Sequence, residues 1–90
     1  MAIDIRETIE SLERHGDFFE VYEVHSFTGY REIGGDQPQT VHVKIFDAGP
    51  GAGDARYAVE ATTEDGKVTR GNPAESVDTA LAITRFNELD

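Results

Sequence analysis

Two short runs in the middle of the chain alternate strictly between aliphatic and polar side chains, whereas both ends carry apolar residues at helical spacing. Val41, Val43 and Ile45 alternate with His42, Lys44 and Phe46. After the flexible turn 47–54, Tyr57, Val59 and Ala61 alternate with Arg56, Ala58 and Glu60. A period of two places each aliphatic set on one face of a strand, so these runs predict half-buried antiparallel strands with one face toward a core. That face needs a cover, and the flanking segments are of the kind that supply one.

The first flanking segment repeats Ile5, Ile9 and Leu12 at i, i+4, i+7, which predicts a helix over about 5–15. Asp4 and Glu7 suit its start, Arg14 and His15 its C-terminal dipole, and Gly16 a left-handed stop. The last segment places Asn72 as cap, Pro73 at the first helical position and Glu75 three residues after the cap, predicting a helix over 73–88. Its stripe is Ala74, Val77, Ala80, Leu81 and Thr84, widened by Ile83, Phe86 and Leu89.

Between these landmarks, Phe18 to Phe27 is rich in aromatic and β-branched residues and reads as a strand. Its two faces are hard to rank. Phe19, Val21 and Phe27 share one with Glu23 and His25; Phe18, Tyr22 and Val24 share the other with Glu20. Residues 28–39 carry Gly29, Gly34, Gly35, Asp36 and Pro38 and read as a long loop. Glu64-Asp65-Gly66-Lys67 reads as a hairpin turn leading to a short segment at Val68 and Thr69, which the sequence leaves open as a fourth strand. The order specifies an α+β fold over a single domain, 1–90: helix, antiparallel meander of three or four strands, helix, with both helices on one face.

Charge narrows the function classes. Eighteen acidic residues against eight basic ones give −10 and a pI near 4.5, a field that repels phosphate backbones and anionic lipid. Six of the basic residues are Arg, leaving only Lys44 and Lys67. An evenly acidic, lysine-poor chain resembles proteins of salt-accumulating halophilic archaea; an acidic protein from a GC-rich bacterial genome is the alternative. The absence of Cys removes disulfides, thiolate metal sites and cysteine nucleophiles. No apolar run approaches the ~20 residues needed to span a bilayer, and Met1-Ala2-Ile3-Asp4 runs directly into the first amphipathic segment, so a cytoplasmic protein is expected.

Residues 56–71, Arg-Tyr-Ala-Val-Glu-Ala-Thr-Thr-Glu-Asp-Gly-Lys-Val-Thr-Arg-Gly, resemble the second hairpin of a double-stranded-RNA-binding domain. Leu81-Ala82 and Phe86 fall where that family places Ala-Ala and Leu in its closing helix. The resemblance covers about 56–89 and implies a shared fold. It does not extend to the RNA contacts. Where the family begins its second helix with Ser-Lys-Lys-x-Ala-Lys to clamp phosphates, this chain has Pro73, Ala74, Glu75, Ser76, Val77 and Asp78. Where the family inserts a loop with Pro and His, Gln37-Pro38-Gln39 is the nearest match.

Chemistry-bearing motifs are weak. His25 and His42 with Glu23 make an N,N,O metal set only if strand register brings them together; two sheet histidines without a ligand are the plainer expectation. The run 49–53, Gly-Pro-Gly-Ala-Gly, lacks the Gly-Lys-Ser/Thr ending of a phosphate loop and is bracketed by Asp47 and Asp54. No Ser/His pairing or nucleophile motif occurs. The expectation is therefore a protein without catalytic, cofactor or metal residues that acts through protein contact, with itself or another chain. Phe19, Phe27, His42, Phe46 and Arg56 are its candidate surface, because the chain has more aromatics than one covered sheet face can bury. The alternative is a diverged RNA-binding module using Arg56, Arg70 and the 28–39 loop.

Overall fold

A computed structural model describes residues 4–35 and 37–90. The elements are α1 (Ile5–Gly16), β1 (Glu23–Arg31), β2 (Gln39–Asp47), a 3-10 turn (Pro50–Ala55), β3 (Tyr57–Thr63), β4 (Val68–Arg70), α2 (Val77–Ile83) and a closing 3-10 turn (Phe86–Leu89). The four strands form one antiparallel sheet in the order β1-β2-β3-β4, so the α+β meander between helices is observed and residues 68–70 are a true fourth strand. Among the described residues no helix is long and apolar enough to cross a membrane.

Register assigns the faces. Val41 pairs with Thr63, Val43 with Ala61 and Ile45 with Val59, which puts the aliphatic sets of both strands on one side. There Ile45, Val59, Ala74 and Ala80 form one buried cluster and Val41, Ala61 and Leu89 another, bridged by Val43. α2 and the closing turn provide this cover over β3 and β4. α1 does not share it: with Ala48–Ala52 and residues 19–22 it lines shallow clefts at the end of the sheet, and none of its residues is buried. The expectation of both helices on one sheet face is thus realised by α2 alone.

Three boundaries differ from the sequence reading. The strand expected at 18–27 lies at 23–31, because β2 ends at Asp47, opposite Glu23, and leaves residues 18–22 without a ladder partner. The same pairing draws Thr28 to Arg31 and Gln39 into the hairpin, shortening the expected 28–39 loop to 32–38; Asp36 lies outside the described residues. The closing helix spans only Val77–Ile83, because Ala74 exchanges two backbone hydrogen bonds with Tyr57, of 2.9 and 2.8 Å, and extends β3's pairing beyond β4. That keeps Asn72 from capping, consistent with the extended backbone favoured before a proline. Ser76 caps instead, its hydroxyl accepting from the Thr79 N–H at 3.1 Å. At the other end Thr84 turns extended and its hydroxyl donates to the Ala80 carbonyl at 2.7 Å. The chain then re-enters as a 3-10 turn that carries Leu89 into the core with no exposed surface.

α1 is capped as its sequence implies, Asp4 accepting from the Glu7 N–H at 3.0 Å. The left-handed stop falls one residue later than expected, on Asp17 (φ 56°). At Gly16 the Phe18 ring lies 2.5 Å from where a Cβ would stand, so a side chain there would displace that exposed ring.

Candidate interaction surface

The buried core of the described residues is confined to 41–89. Residues 12–33 contribute eight of the eleven large apolar side chains left exposed, among them Phe18, Phe19, Phe27 and Tyr30. The physical cause is the layout just described. α2 and the closing turn cover the sheet from β4 as far as β2 and α1 stands off the end; of β1 the closing turn reaches Arg31, which donates to the Phe86 carbonyl at 3.2 Å and to Asp90 at 2.9 Å, while Val24 to Tyr30 stay exposed. Phe27, on the helix-side face opposite Val43, is 57% exposed, and Phe19 before the strand is 91% exposed.

The other sheet face is lined by exposed and half-buried residues. Val24 pairs with Phe46 and Phe46 with Ala58, forming an apolar row across β1, β2 and β3. Tyr22 meets the Phe46 ring edge-on, with centroids 6.1 Å apart and planes at 82°, an arrangement favoured by the ring quadrupoles. Tyr22, Phe46 and Ala58 floor a shallow groove of about 470 Å³ rimmed by Arg56, Arg70 and Pro73. Beside it, Lys44, Glu60 and Arg70 form a charged row, Arg70 donating to Glu60 at 2.6 Å. Next along the strands, Thr28, His42 and Thr62 form a third row, with the Thr28 hydroxyl 3.2 Å from His42 Nδ1.

Asp47, the last residue of β2, holds Arg56 at the groove's rim. It is buried, accepts two hydrogen bonds from Arg56 at 2.7 and 3.0 Å, and accepts the Gly49 N–H at 2.8 Å. The Arg56 hydrogen bond is the main cause that holds the Asp47 carboxyl below its ordinary value, against the opposing effect of burial. The same pair raises Arg56 further, and its guanidinium lies 4.9 Å over the Tyr57 ring. Arg56 is thus a structural cation clamped at the sheet end rather than a free charge.

The five residues expected from sequence to share a surface are distributed over distinct regions. His42 and Phe46 lie on the face away from α2, with Arg56 at its rim, but Phe27 lies on the opposite face and Phe19 precedes the strand. His25 and His42 also point to opposite faces, so the pairing register does not assemble them with Glu23 as a metal set. His25 Nε2 is instead 2.6 Å from Glu23 on its own strand. Among the described residues no group of three metal-ligating side chains converges. The sequence reading passed over Tyr30, because the glycines flanking it suggested a loop; the signal that could have recovered it was the continuing hairpin register opposite Thr40.

Comparison with protein-family models, curated proteins and solved structures yields no match to this chain.

Proposed function

We propose that the protein is a polypeptide-binding module, acting by contact and without catalysis, whose docking surface is formed by residues 12–33. The observation that carries this reading is the division of the chain into a segment that owns the whole described core and a segment that leaves its aromatic side chains in solvent. Isolated exposed apolar residues are ordinary, but a concentration of this kind marks an interaction site. Overall dimensions agree. The accessible surface is 6443 Å², against roughly 5,200 Å² for a compact monomer of this mass. The radius of gyration is 15.3 Å, against about 12 Å for a compact chain of this length.

Charge arrangement favours a polypeptide over RNA as the partner. Arg6, Arg31, Arg56, Lys67, Arg70 and Arg85 each lie within 4.0 Å of a carboxylate, which leaves little basic surface to displace counterions from a phosphate backbone. The test is a photo-crosslinking amino acid placed at Phe19 and at Phe27, with Glu75 as control, irradiated in the native host at its own salt. Polypeptide adducts at 19 and 27 but not at 75 are expected. Adducts to RNA alone, or none at either position, would refute the reading.

A further inference from the structure

We infer that the polypeptide partner is a second copy of this chain, joined by antiparallel pairing of β1 with its own symmetry mate about a two-fold axis through Phe27. This rests on the proposed function and names the occupant of its surface. β1 is an edge of the sheet, nine residues long, and exposed over all but its two end residues. Stable proteins blunt such edges with proline, inward charge, bulges or short strands. β4, the opposite edge, has three residues. β1 has none of these guards: from Val24 to Tyr30 it contains no proline and no Asp, Glu, Lys or Arg, in a chain that is 29% charged.

The strand is also complementary to its own reverse. With Phe27 opposite Phe27 of the second copy, Glu23 faces Arg31, Val24 faces Tyr30, His25 faces Gly29 and Ser26 faces Thr28, and each pair recurs on the other side of the axis. Aromatic with β-branched residues and hydroxyl with hydroxyl are cross-strand pairs that stabilise an antiparallel sheet, and Arg31, already 2.9 Å from Asp90 of its own copy, would gain Glu23 as a second carboxylate. The one large residue facing a glycine has room, since a Cβ at Gly29 would meet nothing within 4 Å. A shift of register by one residue in either direction would lose the charge pairing and face Phe27 with Ser26 or Thr28. The interface is isologous and closes at two chains, giving a continuous eight-stranded sheet. Because each copy carries −10, pairing strengthens as salt screens the repulsion between them.

The full chain is weighed by analytical ultracentrifugation from micromolar to millimolar concentration in about 0.1 M and about 3 M KCl. A dimer is expected, more populated at the higher salt. Phe27→Lys sets two like charges directly opposite each other and should give a monomer whose circular dichroism is unchanged, since Phe27 is largely outside the core. Glu75→Lys, exposed and outside residues 12–33, should leave the mass as it was. Register is read with cysteines introduced into this cysteine-free chain: Phe27→Cys should oxidise to a covalent dimer by itself. Ser26→Cys should do so efficiently only when mixed with Thr28→Cys, because directly opposed Cα atoms lie within disulfide reach. A wild type that stays monomeric at both salts overturns this inference. If crosslinks from Phe27 then capture a different polypeptide, the proposed function stands and only the occupant is wrong. Coupling of Ser26→Cys alone as readily as Phe27→Cys overturns the register.

Discussion

Leu89→Ala should cost this protein a large part of its stability even though the residue is next to last in the sequence. The Leu89 side chain has no exposed surface and packs on Val41, Ala61 and Phe86. Removing three buried carbon groups forfeits roughly 2.5 kcal/mol of transfer free energy. Incomplete collapse of the site adds a cavity contribution, so about 3 kcal/mol is expected, near the low end of measured Leu→Ala losses. A domain of this length has a total stability of about 5–13 kcal/mol and an unfolding entropy near ~190 cal/mol/K, so the midpoint should fall by about 15 °C. Thermal melts followed by circular dichroism in high salt measure this, with Asn87→Ala, an exposed neighbour on the same turn, as reference at within about 0.5 kcal/mol of wild type. A loss below about 1 kcal/mol for Leu89→Ala would refute the placement of the closing turn in the core.

Two further perturbations probe the end of the sheet where Asp47 sits. Asp47→Asn should destabilise by about 2 kcal/mol at neutral pH, since it removes charge-assisted hydrogen bonds to Arg56. The folded carboxyl lies below its ordinary value of 3.8, so its contribution is fully present above that value and lost as pH falls through the folded one. Urea unfolding of the two proteins should therefore converge at acid pH, and a difference that persists unchanged down to strong acid would show that charge is not the cause. Gly49→Ala should cost about 1–2 kcal/mol, because φ is +92° there and the added Cβ would lie 2.9 Å from the Ile9 terminal methyl carbon. Faster amide hydrogen exchange over residues 5–16 is the expected readout, and exchange unchanged from wild type would mean that α1 is not seated on this turn.

The strands at 41–47 and 57–63, the Asp-Gly turn and α1 were legible because each rests on information within a few residues: a period, a cap or a turn glycine. The alternation of Val41, Val43 and Ile45 with polar neighbours fixes which face is apolar before any partner is known. The last helix was misread for the complementary reason. Asn72-Pro73 with Glu75 is a sound local start signal, yet Tyr57, distant in sequence, required backbone partners beyond the end of β4, and Ala74 supplied them. Similarly, the glycines between Thr28 and Gln39 locally favour a loop, whereas ladder bonds to β2 carry Thr28 to Arg31 through as strand.

The candidate surface divides in the same way. That the chain holds more aromatic side chains than one covered face can bury is a statement about composition and alternation, available from residues alone. Which of them remain outside was decided by tertiary structure, through the shift of β1 to 23–31 and the position of α1 beyond the sheet end. Side-chain direction alternates by residue, but register is set by pairing between distant segments. The sequence by itself therefore determined the strand alternation and the order helix, meander, helix. Only the assembled sheet decided that Phe27 and His42 lie on opposite faces, that Leu89 belongs to the core, and that β1 stands as an uncovered edge.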